Sequence, residues 1–383
     1  MEKNKYDGQL RRQCLSLKEM CEPQIDGLKK ALKETIPADE FKKIRRVYIT
    51  GCGDSYLAAK AAVPVFKHYA GAFGNGFLAV RNIDAARSIQ YNEPQSTLLI
   101  AISASGGPAR IEEALSRASK AGCKTVLVTN NPESRSAAAS EYLFNVNTPE
   151  FPEMGPGLRN YFASLSGLYT LAVHMGVAKG FIDDNEFENL FDAIRDYTNR
   201  FMKDIDAIDD LAFKVAVDWK DTVAIEAIAD NLDYPSAAFI CAKFVEVDGK
   251  MTTVANSEDW CHVNYFAADA NKIGTIILST SAFPNASRVK ETLMTVNGIG
   301  RKVFVISDGN KSDYTDKDIP FVTITKPSKG YEFIAPLLNH IPGDILASYV
   351  AALDEEPYFR GPESAQGKTP IGNTIRTSKV EIV

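Results

Sequence analysis

Short apolar runs punctuate the first half of the chain at 47–50 (VYIT), 97–102 (TLLIAI) and 124–129 (KTVLVT). Each is rich in Val, Ile, Leu or Thr and is followed by turn residues, a pattern that predicts strands rather than helices. Between them the period changes. Residues 55–71 place Ala58, Ala59, Ala62, Val63 and Phe66 on one helical face, and 109–121 do the same with Ile111, Ala114, Leu115 and Ala118. Strands alternating with helices predict an α/β fold, a parallel sheet covered on both faces.

The second half repeats this plan. Strand-like segments at 222–228 (TVAIEAI), 274–279 (GTIILS) and 302–307 (KVFVIS) follow the first set at an offset of about 176 residues. Two tandem doubly wound domains are therefore expected, over 41–180 and 216–355. Residues 1–40 read as an amphipathic helical segment through Leu15, Leu17, Met20, Ile25, Leu28 and Leu32, and 181–215 as a helical linker. Residues 356–383, rich in Gly, Pro, Ser and Thr, read as an extended tail that contributes to the active site.

Composition narrows the function classes. A content of 45% hydrophobic and 24% charged residues suits packed globular domains. The 43 basic against 49 acidic side chains leave a net charge of −6, which argues against a nucleic-acid grip. No apolar run reaches the roughly 18 residues of a bilayer span, and the polar N-terminus lacks a signal-peptide core, so no membrane partner is expected. The six cysteines form no CxxC pair, and the four histidines make no ligand set with them. A cytoplasmic protein without metal or organic cofactor is expected.

Two strand-to-helix turns carry candidate chemistry. Gly51-Cys52-Gly53-Asp54-Ser55 opens one helix, and Ser103-Ala104-Ser105-Gly106-Gly107, with Pro108 and Arg110 just beyond, opens another. Glycines allow close backbone approach, and the amides at a helix start attract anions. Capping alone also explains Gly and Ser at such turns. A dinucleotide fingerprint fails in part, because Tyr56 stands where GxGxxG needs its third glycine.

GCGDSYLAA together with ISASGGPARIEEAL resembles the phosphosugar-binding turns of the sugar isomerase (SIS) family. The two-domain layout, from about residue 40 onward, is similar to the isomerase half of the glucosamine-6-phosphate synthases, without the glutaminase domain that precedes it there. The resemblance implies a flavodoxin-like fold for each domain and a sugar-phosphate site at Gly53, Asp54, Ser55, Ser103, Ala104, Ser105 and Arg110. It also extends to a family Lys-x-x-Glu, here Lys243 and Glu246, to a histidine sixteen residues on, His262, and to a lysine in the terminal tail, Lys379. The departures are Asp54 before Ser55, and Ala104 and Pro108 where the family has Gln and Thr. They bear on the substrate more than on the fold. Asp54 beside a phosphate is repulsive, so it either faces an amine or is compensated by Arg110.

The implied activity is an aldose/ketose isomerase-type reaction on a hexose or amino-sugar 6-phosphate by 1,2-proton transfer, with amine addition or release (deaminase or deglycase chemistry) as variants. Glu246 fits the base, His262 the ring opener and Lys379 the carbonyl partner through an imine. Lys243, one turn before Glu246, orients it or polarises sugar oxygens. Each residue also has a bland alternative: a surface ion pair for Lys243 and Glu246, a packed ring beside Trp260 for His262, a solvated end for Lys379. The resemblance further implies a homodimer in which His262 serves a neighbouring subunit's site. His68 is expected to face solvent and His174 to pack. His340, and the loop from Met154 to Leu158, are expected near the sugar. The competing function is a non-catalytic phosphosugar-binding regulator, but residues 1–40 offer no basic recognition helix.

Overall fold

The computed structural model describes residues 1–71, 76–153, 155–283, 285–369 and 371–382. It contains two five-stranded sheets, both wholly parallel. In the first, β1 (Arg46–Gly51), β2 (Phe77–Arg81), β3 (Thr97–Ile102), β4 (Lys124–Thr129) and β5 (Tyr142–Asn145) run in the order β2-β1-β3-β4-β5. In the second, β6 (Ala224–Ile228), β7 (Met251–Ala255), β8 (Ile273–Ser279), β9 (Lys302–Ser307) and β10 (Phe321–Thr323) run β10-β9-β8-β6-β7. Numbered within its own half, each sheet has the doubly wound 2-1-3-4-5 order. The repeat expected from the sequence is thus a repeat of topology.

The chain divides into two compact units, one around each sheet. The first-sheet unit holds Glu19–Glu150, Arg159–Asp192 and Thr369–Val383; the second-sheet unit holds Met1–Lys18, Phe151–Leu158 and Ala193–Lys368. In the second-sheet unit, Arg11 donates from Nε and Nη2 to Asp209 at 2.6 and 2.9 Å, and the Tyr349 hydroxyl donates to the same carboxylate at 2.9 Å.

The central strands form because Val, Ile and Leu are buried on both faces. Every residue of β3 and of β8 is buried, as parallel strands under helices require. The helix at Asp54–Ala70 returns from β1, and the helix at Ala109–Ala121 returns from β3. The latter stops at Gly122, whose φ of 94° supplies the left-handed residue that ends many helices. Ile111, Ala114, Leu115 and Ala118, the face expected from the periodicity, pack on Leu99, Ala101 and Leu127.

Two expectations are corrected. The N-terminal segment is not one helix: helices at Gln9–Leu15 and Leu17–Lys33 meet at Ser16, whose hydroxyl donates back to Gln13 O at 2.8 Å. Such local bonds compete with helix continuation. The tail is not wholly extended: Ile371–Thr377 is a short helix, and Arg135 donates to Arg376 O at its end.

Candidate functional site

The switch point of the first sheet lies between β1 and β3, where the chain leaves in opposite directions and two helix starts come side by side. The register Thr50–Ala101 and Gly51–Ile102 aligns the ends of these strands. Gly51 has no room for a side chain, since a Cβ there would sit 2.5 Å from Ser55 Cβ. Gly53 caps the Asp54–Ala70 helix at φ 51°, a conformation that suits glycine, and faces open space. Asp54 and Ser55, both half-buried, begin that helix. Cys52 accepts from Asn82 Nδ2 at 3.0 Å, and burial pushes its thiol up to about 11, so it is no nucleophile at neutral pH.

The second turn, Ser103 to Gly107, is shaped by its own hydroxyls. Ser103 Oγ accepts from Gly106 N at 3.1 Å and Ser105 Oγ from Gly107 N at 3.3 Å. Gly106 has φ 60° and lies so close to Ser134 that a Cβ would stand 1.9 Å from its Oγ. Ala104 O accepts from Asn130 N at 3.0 Å. The amides of Ala104 and Ser105 meet no acceptor among the described residues. They lie just before the Ala109–Ala121 helix, whose N-terminus adds partial positive charge. Unpaired amides beside a helix start favour negative charge in general.

The tail residues of this unit lie against the same helix. Arg110 pairs with the fully buried Glu113 and donates to Ser378 Oγ at 3.0 Å and to Lys379 O. Glu381 N donates to Glu113 Oε2 at 3.1 Å. Arg376 Nε lies 3.5 Å from where a Gly107 Cβ would be. Lys379 points outward, 82% exposed, with Nζ 2.9 Å from Glu381 Oε1. Sequence reasoning missed Arg376 and Glu113; the only signal was a second cation three residues before Lys379.

In the second-sheet unit, the Tyr234–Val247 helix brings Lys243 and Glu246 onto one face. Lys243 is not a surface residue: its side chain has no exposure. Its Nζ donates to Pro156 O and to Glu246 Oε2, each at 2.6 Å, and sits 4.6 Å over the Phe239 ring. Glu246 stays 30% exposed. A buried ammonium thus fixes a carboxylate that still reaches solvent. Pro156 belongs to the MGPGL loop; Met154 lies outside the described residues. Leu158 N of that loop donates to Gln13 Oε1 at 3.2 Å.

His262 ends the short Ser257–His262 helix, capped by Asn256 Oδ1, which accepts from the amides of Glu258 and Asp259. Fully buried Trp260 anchors the helix, while His262 is 69% exposed and pairs with Glu258 at 3.2 Å. Val263 and Phe266 beyond it are 68% and 75% exposed. His340 is buried, with Nδ1 2.6 Å from Asp344 Oδ2. His174 packs edge-on against Phe41, and burial lowers its pKa; His68 is exposed. Among the described residues no group of three or more His, Cys, Asp or Glu is placed to hold a metal ion. No helix among them is long and apolar enough to cross a membrane.

The family model for the SIS domain matches residues 40–174, which contain both glycine- and serine-bearing turns and the whole first sheet. This part of the chain is a SIS domain. Beyond it, the chain is homologous to the isomerase part of the glutamine–fructose-6-phosphate aminotransferases. It is 28% identical over 332 residues to the isomerizing enzyme of Zymomonas mobilis, covering 83% of this chain and 51% of that one. The chain spans about half the length of the curated relatives it matches. Among solved structures, the C-terminal domain of glucosamine-fructose-6-phosphate aminotransferase from Francisella tularensis superimposes with a TM-score of 0.79 at 17% identity, covering 92% of this chain and 98% of that one. Glucosamine-6-phosphate deaminase from Thermotoga maritima gives 0.62 at 16% identity, covering 93% and 98%. These likenesses to solved structures carry the fold across both sheets.

Proposed function

We propose that the chain is an enzyme of the phosphosugar isomerase type, acting on a hexose or amino-sugar 6-phosphate by 1,2-proton transfer. The Ser103–Gly107 turn takes the phosphoryl group, using the free amides of Ala104 and Ser105. Gly53, Asp54 and Ser55 line the neighbouring turn. Glu246 moves the proton between C1 and C2. His262 opens the ring, and the neutral Lys379 amine condenses with the open-chain carbonyl, expelling water to give an imine that acidifies the adjacent C–H and is hydrolysed after the proton transfer. The same proton transfer serves isomerisation and the addition or release of an amine, and Asp54 is suited to an ammonium-bearing substrate.

The observation that carries this reading is the environment of Lys243. An ammonium with no exposure, held by a carbonyl and a carboxylate, is costly to build. A surface ion pair has no use for it. A base that must keep one orientation does. The exposed His262 beside exposed Val263 and Phe266 supports a homodimer in which this histidine serves a second copy.

The test incubates the purified chain in deuterated water with hexose, hexosamine and fructosamine 6-phosphates. The expected result is deuterium at C1 or C2 of one substrate class, abolished by Glu246→Gln. Binding of phosphosugars without exchange would instead establish a regulator.

A further inference from the structure

Glu113 lies on the face of the Ala109–Ala121 helix that also buries Ile111, Ala114 and Leu115, and it has no exposure. A carboxylate sunk there is costly unless donors meet it. Its two oxygens are met differently. Oε1 accepts from Arg87 Nε at 2.9 Å, which fastens the neighbouring Asn82–Arg87 helix. Oε2 accepts from Arg110 Nη1 and from Glu381 N, the latter at 3.1 Å. A staple between two helices accounts for Oε1 alone. The second oxygen is turned to the tail.

Apolar contact does little to fix that tail. Among the described residues 374–382 none is buried, and such a segment frays unless it is tied down. Polar bonds do the tying, and they fall on both sides of one residue. Arg110 donates from Nη2 to Ser378 Oγ at 3.0 Å and to Lys379 O, and Glu113 takes the Glu381 amide two residues on. Upstream, Arg135 donates to Arg376 O, and the Arg376 side chain lies beside Gly107 of the serine-bearing turn. The chain is thus held at 376, 378, 379 and 381, while the Lys379 side chain reaches outward, 82% exposed. Arg110, a phosphate ligand by resemblance, directs Nη1 and Nη2 to Glu113 and the tail instead.

We infer that Glu113 is a positioning residue: through Arg110 and the Glu381 amide it sets the register of the tail, so that the amine of Lys379 is presented beside the Ser103–Gly107 turn. The inference rests on the proposed imine role of Lys379 and adds to it what keeps that amine in place; it reassigns Arg110 from the phosphate to the tail. The gain is one of orientation. An amine on a wandering segment meets the open-chain carbonyl rarely, whereas one held at a fixed point meets it at high effective concentration.

The test adds fructose 6-phosphate and borohydride, which reduces the Lys379 imine to a stable secondary amine, and reads the adduct by mass spectrometry. Hydrogen exchange of the peptide spanning 374–382 is followed on the same chains. The wild type is expected to trap the sugar at Lys379. Glu113→Gln and Arg110→Ala are expected to slow trapping at saturating sugar by about 10-fold, the scale of one charge-assisted hydrogen bond, and to move the half-saturating concentration by less than about threefold. Exchange in 374–382 quickens in both, while the strands at 97–102 and 124–129 keep wild-type protection, and Arg110→Lys recovers part of the trapping rate. If Glu113→Gln loses strand protection and does not fold, Arg110→Ala and Arg110→Lys carry the test. Wild-type trapping in a folded Glu113→Gln or Arg110→Ala chain overturns this inference alone. So does an Arg110→Ala chain whose half-saturating concentration rises by about 10-fold at an unchanged saturated rate, the mark of a phosphate ligand. A wild-type chain that traps no sugar at Lys379 overturns the imine role and this inference with it, and deuterium exchange at C1 or C2 that persists in that chain leaves the isomerase reading standing.

Discussion

Replacing Lys243 by Met keeps most of the buried alkyl length and removes the charge. The change removes the bond to Pro156 O, the bond to Glu246 and the approach to Phe239. A hydrogen bond from a charged donor is worth about 1.5–3 kcal/mol, and a desolvated cation–π contact about 1–2. Against this, Met needs no desolvation of an ammonium. Glu246, at 30% exposure, can recover water, whereas Pro156 O is left without its donor. The net cost is about 2 kcal/mol, a fall in melting temperature of about 2–3 °C at this size. Lys243→Ala adds a cavity and costs about 2 kcal/mol more. The catalytic effect is larger than the structural one. With Glu246 no longer held, deuterium exchange falls by about 100-fold or more, the scale of a positioned general base, while KM changes by less than about threefold. Calorimetry and a wash-in assay on the same preparations check both halves. A Lys243→Met chain as stable as the wild type and equally fast in exchange would show that this lysine fills space and does nothing to Glu246.

Three further outcomes follow from other features. Mixing chains carrying Glu246→Ala with chains carrying His262→Ala restores up to about a quarter of wild-type exchange if subunits trade residues at random and each site draws His262 from its neighbour; an inactive mixture refutes shared sites. Gly106→Ala, at φ 60° with Ser134 Oγ 1.9 Å from the new Cβ, displaces the cap that accepts from Ala137 N and costs about 2 kcal/mol or more; a urea midpoint unchanged from wild type would contradict it. Burial raises Asp233 to about 7, far above its unfolded value of about 3.9. The folded chain then holds a proton that the unfolded chain has released, so stability falls as pH rises from about 4 to about 7, by about 1 kcal/mol per pH unit. Asp233→Asn flattens this slope in urea titrations at several pH values, and an identical slope in the variant removes Asp233 as its source.

Much of the fold was legible because buried parallel strands leave continuous apolar runs. The six strands read from the chain are the central ones and their neighbours. The missed strands, Phe77–Arg81, Tyr142–Asn145, Met251–Ala255 and Phe321–Thr323, lie at sheet edges and are only partly buried. Edges lack a covering layer, so the run breaks up. At the site, the spacing of Lys243 and Glu246 was readable, and FICAKFVEV even rings the lysine with apolar neighbours. Its complete burial was not, because that depends on Pro156, 87 residues away. The helix at Ile371–Thr377 escaped notice because it is a single short stretch tied to distant arginines.

A duplicated switch point poses a physical problem that the two halves solve differently. Topology alone gives each sheet two helix starts and a turn with outward amides. Buried donors without acceptors are costly, so a turn of this kind must be filled from within or left open to solvent and ligand. The second half fills it, with Thr280 buried and bonded to Asp233. The cost is a carboxyl held so deep that its proton affinity rises to about 7. The first half leaves it open, with Ser105 exposed and Gly53 supplying no side chain. The asymmetry comes from the caps at Gly53 and Asp233 and from the residues that directly follow β4 and β9, Asn130 and Asp308, not from the backbone plan that the halves share. Differences at such positions leave one half's donors open to a ligand while the other half satisfies its own from within.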